Sequence, residues 1–302
     1  MTYVVFLLFF SLALYIGNAA ASIFLGIIFA LGIKPEQTFI SRTIGTTPLQ
    51  IGIVILGATI SLPYAWSVSA SYLPWISLFV ISSFFMGLLL GKLLGIQHRI
   101  AFLLSAGAAI CGGTAMAAIA PIIKAKPQEL MVAMTIVFLL NALAIIIFPI
   151  MGHYLEMTNF QFGAWSALAI HDTSSVVGSA LTYSDESAQV AATLKLGRTI
   201  WIIPLILITN WVFNRETEAT KFPRFILFFI LAILLNTLFN FNGQILDILK
   251  LSSQSFLMLG LFCIGTQFKA HELKAISGRP LILALLVWLM VIPSAYWLVT
   301  YL

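Results

Sequence analysis

Apolar residues run along this chain in long blocks, interrupted by brief polar stretches that carry Pro or charge. A membrane crossing needs roughly 20 predominantly apolar residues, and such blocks lie near 2–17, 19–33, 45–62, 72–94, 99–123, 129–152, 160–181, 187–213, 222–240, 250–268 and 280–301. The pattern predicts about eleven helices, with nine or ten left open because the first two blocks are short. All are expected to be helical, since backbone exposed to lipid must satisfy its own hydrogen bonds. The predicted fold is an all-α polytopic membrane protein, with residues 1–302 forming one transmembrane domain. The polar interruptions are short: Lys34-Pro35-Glu36, Gln97-His98-Arg99, Arg215–Arg224 and Lys269–Arg279.

Composition agrees with a lipid environment. Of 302 residues 61% are hydrophobic and only 8% charged, against about 25% charged in soluble domains; the mean hydropathy is +1.07. The net charge of +5 comes from 15 Lys and Arg dispersed between apolar blocks, with no basic stripe for nucleic acid. Cys111 and Cys263 both lie in apolar segments, which argues against a disulfide framework or a zinc site. Thr2–Tyr15 lacks the basic residues of a cleaved signal peptide and reads as the first span.

Loop charges orient the chain. Even-numbered loops hold Lys34, Arg42, Lys92, Arg99, Arg215, Lys221, Arg224, Lys269, Lys274 and Arg279, whereas odd-numbered loops hold Lys124, Lys126 and Lys250. The positive-inside rule then puts the even loops and the N-terminus in the cytoplasm and the C-terminus outside. Lys124 and Lys126 break the pattern: either the segment before them fails to cross, or two lysines tolerate the outside. That segment contains Cys111-Gly112-Gly113-Thr114, where a glycine pair predicts a helix break and restart with Thr114 as N-cap; a small-residue packing face is the other reading. An internal echo, Leu49-Gln-Ile-Gly52 through Gly57 against Leu257-Met-Leu-Gly260 through Gly265, is compatible with inverted repeats.

The chemistry concentrates between 160 and 200. His171 and Asp172, followed by Thr173, Ser174 and Ser175, interrupt one apolar block; Lys195 and Arg198, three apart and so on one helix face, interrupt the next. Each charge costs about 2.5–3.5 kcal/mol at the bilayer centre, so these groups are expected to face one another, Asp172 pairing with Lys195 or Arg198. That pair could be purely structural. Intramembrane ionisable groups more commonly mark a transport path. Two cations, one carboxylate, and helix restarts at Gly113-Thr114 and Thr173-Ser174 suit a small anion. Candidate substrate-binding residues are Gly112, Gly113, Thr114, Thr173, Ser174, Ser175, Lys195 and Arg198; candidate proton-coupling residues are His171 and Asp172. No cofactor or metal is expected.

Three stretches, Ala106–Pro121 around Cys111-Gly-Gly-Thr, Phe162–Val177 around His171-Asp-Thr-Ser-Ser, and Ala192-Thr193-Leu-Lys195-Leu-Gly-Arg198, resemble the YeiH-type family of sulfate exporters of bacterial membranes. Where that family usually has Ser after the first Gly, this chain has Gly113-Thr114. The resemblance implies a secondary transporter of the bacterial inner membrane, related to the sodium/proton antiporter and bile-acid symporter group, with inverted repeats and discontinuous helices. It implies sulfate as cargo, with sulfite and organosulfonates open. The expected partners are the anion and the lipid bilayer, with no nucleic acid, and a homodimer is left open. An intramembrane enzyme is disfavoured: Asp172 is the one acid clearly within a span, His271-Glu272 lacks a second zinc-binding His, and no Gly-x-Ser-x-Gly elbow occurs. A passive anion channel is the remaining alternative.

Overall fold

The computed structural model describes residues 2–17, 19–33, 39–44, 47–213, 224–267 and 278–301. Lys34, Arg215, Lys221, Lys269, His271, Glu272 and Lys274 therefore lie outside the described residues. The described chain is helical throughout: α1 Thr2–Ile16, α2 Ala19–Ile33, α3 Ile40–Ile44, α4 Thr47–Gly57, α5 Leu62–Leu93, α6 His98–Ala109, α7 Gly113–Ile119, α8 Pro127–Tyr154, α9 Asn159–Ala169, α10 Thr173–Tyr183, α11 Asp185–Thr199, α12 Ile202–Phe213, α13 Arg224–Phe239, α14 Gly243–Thr266 and α15 Gly278–Tyr301. Five helical stretches among the described residues, including α11–α12 taken together, are long and apolar enough to cross a membrane.

Local chemistry sets the helix starts. Pro127 occupies the first turn of α8, where its missing N–H costs nothing, and Glu129 closes a capping box on the Lys126 N–H at 2.7 Å. Thr158 and Gln161 form the same reciprocal box on α9. Ser184 caps α11 and Asn242 caps α14 by accepting backbone N–H bonds from the residue three further on.

The helices pack in two groups. In one, α1, α2 and α4 gather on α14, and α13 packs on α4; in the other, α5, α6, α8, α9, α10, α11 and α15 surround one another, and α10 touches α2 and α14. The first group is held by glycine-mediated approach. A Cβ at Gly260 would lie 2.3 Å from the Leu49 Cβ, and one at Gly52 would lie 2.8 Å from the Leu257 side chain. The two echo segments thus pack on each other reciprocally, leucine of one against glycine of the other. Their second glycines extend the pattern: Gly57 abuts Phe229 of α13, and Gly265 abuts Ile23 and Gly26 of α2.

Two of the predicted helical segments are discontinuous, at the places where the sequence predicts restarts. Segments 99–123 and 160–181 each break in the middle and fold back. Gly107 of α6 lies against Met116 of α7, and His98, Arg99 and Phe102 share a cavity with Ile122, Ile123 and Lys124. The start and end of the first segment therefore meet at one face. In the second segment the rings of Phe162 and Tyr183 stack at 4.0 Å, the Tyr183 hydroxyl donates to the Met157 carbonyl, and Asn159 bonds Glu186 and Ser187. These are two helical hairpins. The 28 residues of α8, about 42 Å at 1.5 Å per residue, carry the chain from the base of the first to the base of the second, so the hairpins enter from opposite faces. The return path runs along α11–α12, from Asp185 beside the second base to Phe213 in the cavity at the first.

Gly260→Ala must push its methyl into Leu49 backbone and side chain, and overpacking of this kind costs about 1–3 kcal/mol. Gly32→Ala meets nothing within 4 Å. Thermal unfolding of the purified protein should show a lowered midpoint for Gly260→Ala and none for Gly32→Ala.

Candidate functional site

The tips of the two hairpins touch. The first tip is Ile110–Gly112 and the second Ile170–Asp172, and a Cβ built on Gly112 would lie 3.4 Å from the Asp172 Cβ. Gly112 has φ +62° and ψ −122°, a conformation that L side chains rarely adopt, and it ends α6 while capping α7. Glycine is required there twice, for the backbone turn and for the close approach of the second hairpin.

A helix leaves its last carbonyls without intrahelical partners, and here two such ends are buried together. On α6, Ala106 and Gly107 carbonyls accept from Ile110 and Gly112 N–H groups. The next two are taken by Arg198, whose Nη2 donates to Ala108 at 2.8 Å and whose Nε donates to Ala109 at 2.7 Å. On α9, Nη1 of the same guanidinium donates to Ala167 at 3.2 Å and Leu168 at 2.6 Å. The Trp288 indole N–H donates to Ala169 at 3.0 Å, and Lys195 Nζ donates to Ile170 at 2.7 Å. One arginine thus clamps both hairpins, using the planar fork that lysine lacks. Lys195 and Arg198 are fully buried on α11. The negative ends of two helix dipoles favour cations at this place.

Asp172 is engaged differently from the expected ion pair. It caps α10, its Oδ2 accepting the Ser174 N–H at 3.0 Å and the Ser175 N–H at 3.3 Å. No ion pair joins it to Lys195 or Arg198; the one ion pair among the described residues is Arg99–Glu129, at 3.9 Å. The carbonyl ends of α6 and α9 compete for the cations and win, because each buried orphan carbonyl would otherwise lose its hydrogen bond. Thr114 is a second correction. The N-cap of α7 is Gly112, with Gly113 first in the helix beside Phe138, and Thr114 is exposed rather than turned to the tips. Thr173, Ser174 and Ser175 are buried in the first turn of α10, as the predicted restart requires.

The structure brings together Gly112, His171, Asp172, Thr173, Ser175, Lys195 and Arg198. His171 is 2% exposed and neither ring nitrogen has a hydrogen-bond partner; its ring lies 6.2 Å from that of Trp288. Asn141 of α8, also buried, has both amide atoms unpartnered. One turn before it Val137 touches Gly112, and one turn after it Ile145 lies near Gly178 of α10, so Asn141 sits along α10 just beyond the tips. Sequence reasoning missed Asn141 and Trp288. Asn141 had a signal, as the single polar residue between Ile136 and Gly152 of an apolar helix; Trp288 had none. Buried polar groups without partners inside a shell of satisfied ones are suited to receive a polar ligand.

Residues 2–284 match the family described as Conserved hypothetical protein 698. The chain belongs to this family. Among its relatives, a UPF0324 membrane protein of Bacteroides thetaiotaomicron is 38% identical over 272 residues, covering 89% of this chain and 82% of the relative. One of Vibrio vulnificus is 36% identical over 293 residues, covering 95% and 94%. One of Porphyromonas gingivalis is 43% identical over 223 residues, covering 71% and 67%. The YeiH-type resemblance read from the sequence is this same family. No solved structure matches.

Arg198→Ala strips four carbonyl bonds from two buried helix ends, and removing one partner of a buried charged network costs about 3–5 kcal/mol. Its unfolding midpoint in detergent should fall far more than that of Gly260→Ala, and Arg198→Lys should recover little of the loss because an ammonium cannot serve both ends at once.

Proposed function

We propose that this protein is a secondary transporter of a small anion, with the meeting point of the two hairpin tips as its substrate site. The observation that carries this is the contact of Gly112 with Asp172, where broken helices from opposite faces bring backbone ends and charged side chains together. Non-helical backbone is tolerated at membrane depth only where it is buried in protein or lines a polar cavity, and transporters bind substrate at such discontinuities. The reciprocal packing of the echo segments and the opposed hairpins support inverted repeats within one transmembrane domain.

An anion suits the charge balance. Lys195 and Arg198 against Asp172 leave a formal +1, and the hairpins oppose helix N-termini to C-termini so that their dipoles largely cancel. The substrate-binding set is Gly112, Gly113, Thr173, Ser174 and Ser175, with Lys195 and Arg198 acting through the field and through the fold. His171 and Asp172 carry coupling. Asp172 occupies the N–H donors that an anion would use, so protonating it both releases the donors and raises the local charge to +2; proton and anion then bind together. Sulfate, sulfite and organosulfonates are the cargo class.

The membrane is the bacterial inner membrane. Folding the two broken segments back removes two crossings from eleven and leaves nine, with the N-terminus inside and the C-terminus outside as before. Lys124 and Lys126 then join Lys92, Arg99 and Arg279 on the cytoplasmic face, while Glu156, Asp185 and Glu186 lie opposite, which removes the exception to the positive-inside rule. Single cysteines replacing Lys126 and Lys92 should react with a membrane-impermeant thiol reagent from the cytoplasmic side, and one replacing Glu156 from the other; labelling of positions 126 and 156 from the same side would overturn the hairpin topology.

Radiolabelled sulfate or sulfite flux into proteoliposomes tests the function. Saturable, counter-transported flux that rises with an inward proton gradient is expected, and Asp172→Asn should weaken its dependence on pH. Ohmic current would point to a channel, and no flux of any small anion above empty vesicles would sink the proposal.

A further inference from the structure

The base of the first hairpin holds a second feature, independent of the tips. A cleft of about 260 Å³ opens between α6, the turn after α7, and the end of α12. Its polar side chains are all basic or imidazole, His98, Arg99 and Lys124, and its floor is Phe102, Ile123 and Phe213. Phe102 packs edge-on against both His98 and Phe213, at 6.0 and 6.1 Å between ring centres.

Among the described residues the cations here are poorly neutralised. Arg99 is the second residue of α6, where the positive end of a helix dipole repels a cation. Gln97, the N-cap, makes no side-chain bond to the first turn. Among the described residues the carboxylate beside these groups is Glu129, which stands 3.9 Å from Arg99 and already accepts the Lys126 N–H at 2.7 Å. Lys124 is exposed and held at φ +51°, a left-handed conformation costly for a residue with a Cβ. A chain that merely needed a turn there would do better with glycine. The cleft borders a lipid-type surface: Trp211 and Val212, just before Phe213, are 79% and 60% exposed, and Leu93 at the end of α5 is 73% exposed. Tryptophan beside basic residues at a helix end marks the headgroup level of a bilayer.

We propose that this cleft binds the phosphate of an anionic phospholipid, with His98, Arg99 and Lys124 around the headgroup and Phe102, Ile123 and Phe213 against the start of the acyl chain. Basic pockets between membrane helices recognise anionic headgroups in this way. A bound lipid would tie the start of α6 and the turn after α7 to the end of α12, and so fix the base of the hairpin whose tip carries Gly112.

The test uses the full-length protein in detergent, with phosphatidylglycerol, phosphatidylcholine and inorganic phosphate added separately while thermal unfolding is followed. A ligand that binds only the folded state raises the midpoint. Phosphatidylglycerol should raise it, and phosphatidylcholine and phosphate should not. Lys124→Gly and Arg99→Gln should each weaken the phosphatidylglycerol effect about five-fold in half-saturating concentration. Glycine suits the left-handed turn at 124, so Lys124→Gly should be at least as stable as the wild type without lipid, and its loss of response would report the charge rather than the fold. Equal shifts with phosphatidylcholine, a full shift with phosphate alone, or unchanged affinity in both variants would each overturn the proposal. None of these readings depends on transport.

Discussion

Everything at the centre of this molecule depends on Arg198. Two helices, α6 and α9, end in the protein interior, where water cannot reach their last carbonyls. A buried carbonyl without a partner costs about 1–3 kcal/mol, and two helix ends present several of them side by side. A single guanidinium, rooted on α11 and fully buried, gives bonds to Ala108, Ala109, Ala167 and Leu168. Lys195 and Trp288 complete the set. Without this clamp both helix ends would keep buried carbonyls with no partner.

The clamp explains the distribution of charge better than an ion pair does. Asp172 has its own task, capping α10 through Ser174 and Ser175. Each charge is therefore satisfied by backbone rather than by the opposite charge. The bonds of Asp172 run to the neighbouring backbone N–H groups rather than to a cation. His171 and Asn141 remain polar and unpartnered around it, so the satisfied frame encloses an unsatisfied interior. A frame of this kind holds the site rigid while leaving it chemically available.

The two faces of the protein also differ. At the base of the first hairpin Arg99, Lys124 and Lys126 gather near one another, whereas at the base of the second Glu186 bonds Asn159 and Asp185 bonds Gln254. In the proposed topology the lysines at 124 and 126, anomalous for a chain that crosses at every apolar block, are regular.

The sequence by itself determined the solvent and the elements. Apolar blocks of the right length force helices in lipid, the glycine pair at 112 and 113 offers a break or a packing face, and Thr173-Ser174 offers a restart, because these effects act within a few residues. It also marked Lys195 and Arg198 as buried, since no apolar helix can expose them. The tertiary structure alone decided what those cations touch. Hydropathy reports that a segment is buried but not whether it goes through or turns back, since a hairpin and a crossing have the same composition. Nor could spacing reveal that carbonyls some thirty and ninety residues away from Arg198 would outcompete Asp172: that competition is settled by which buried acceptors the packing brings within reach, and hydrogen bonds act only at contact distance.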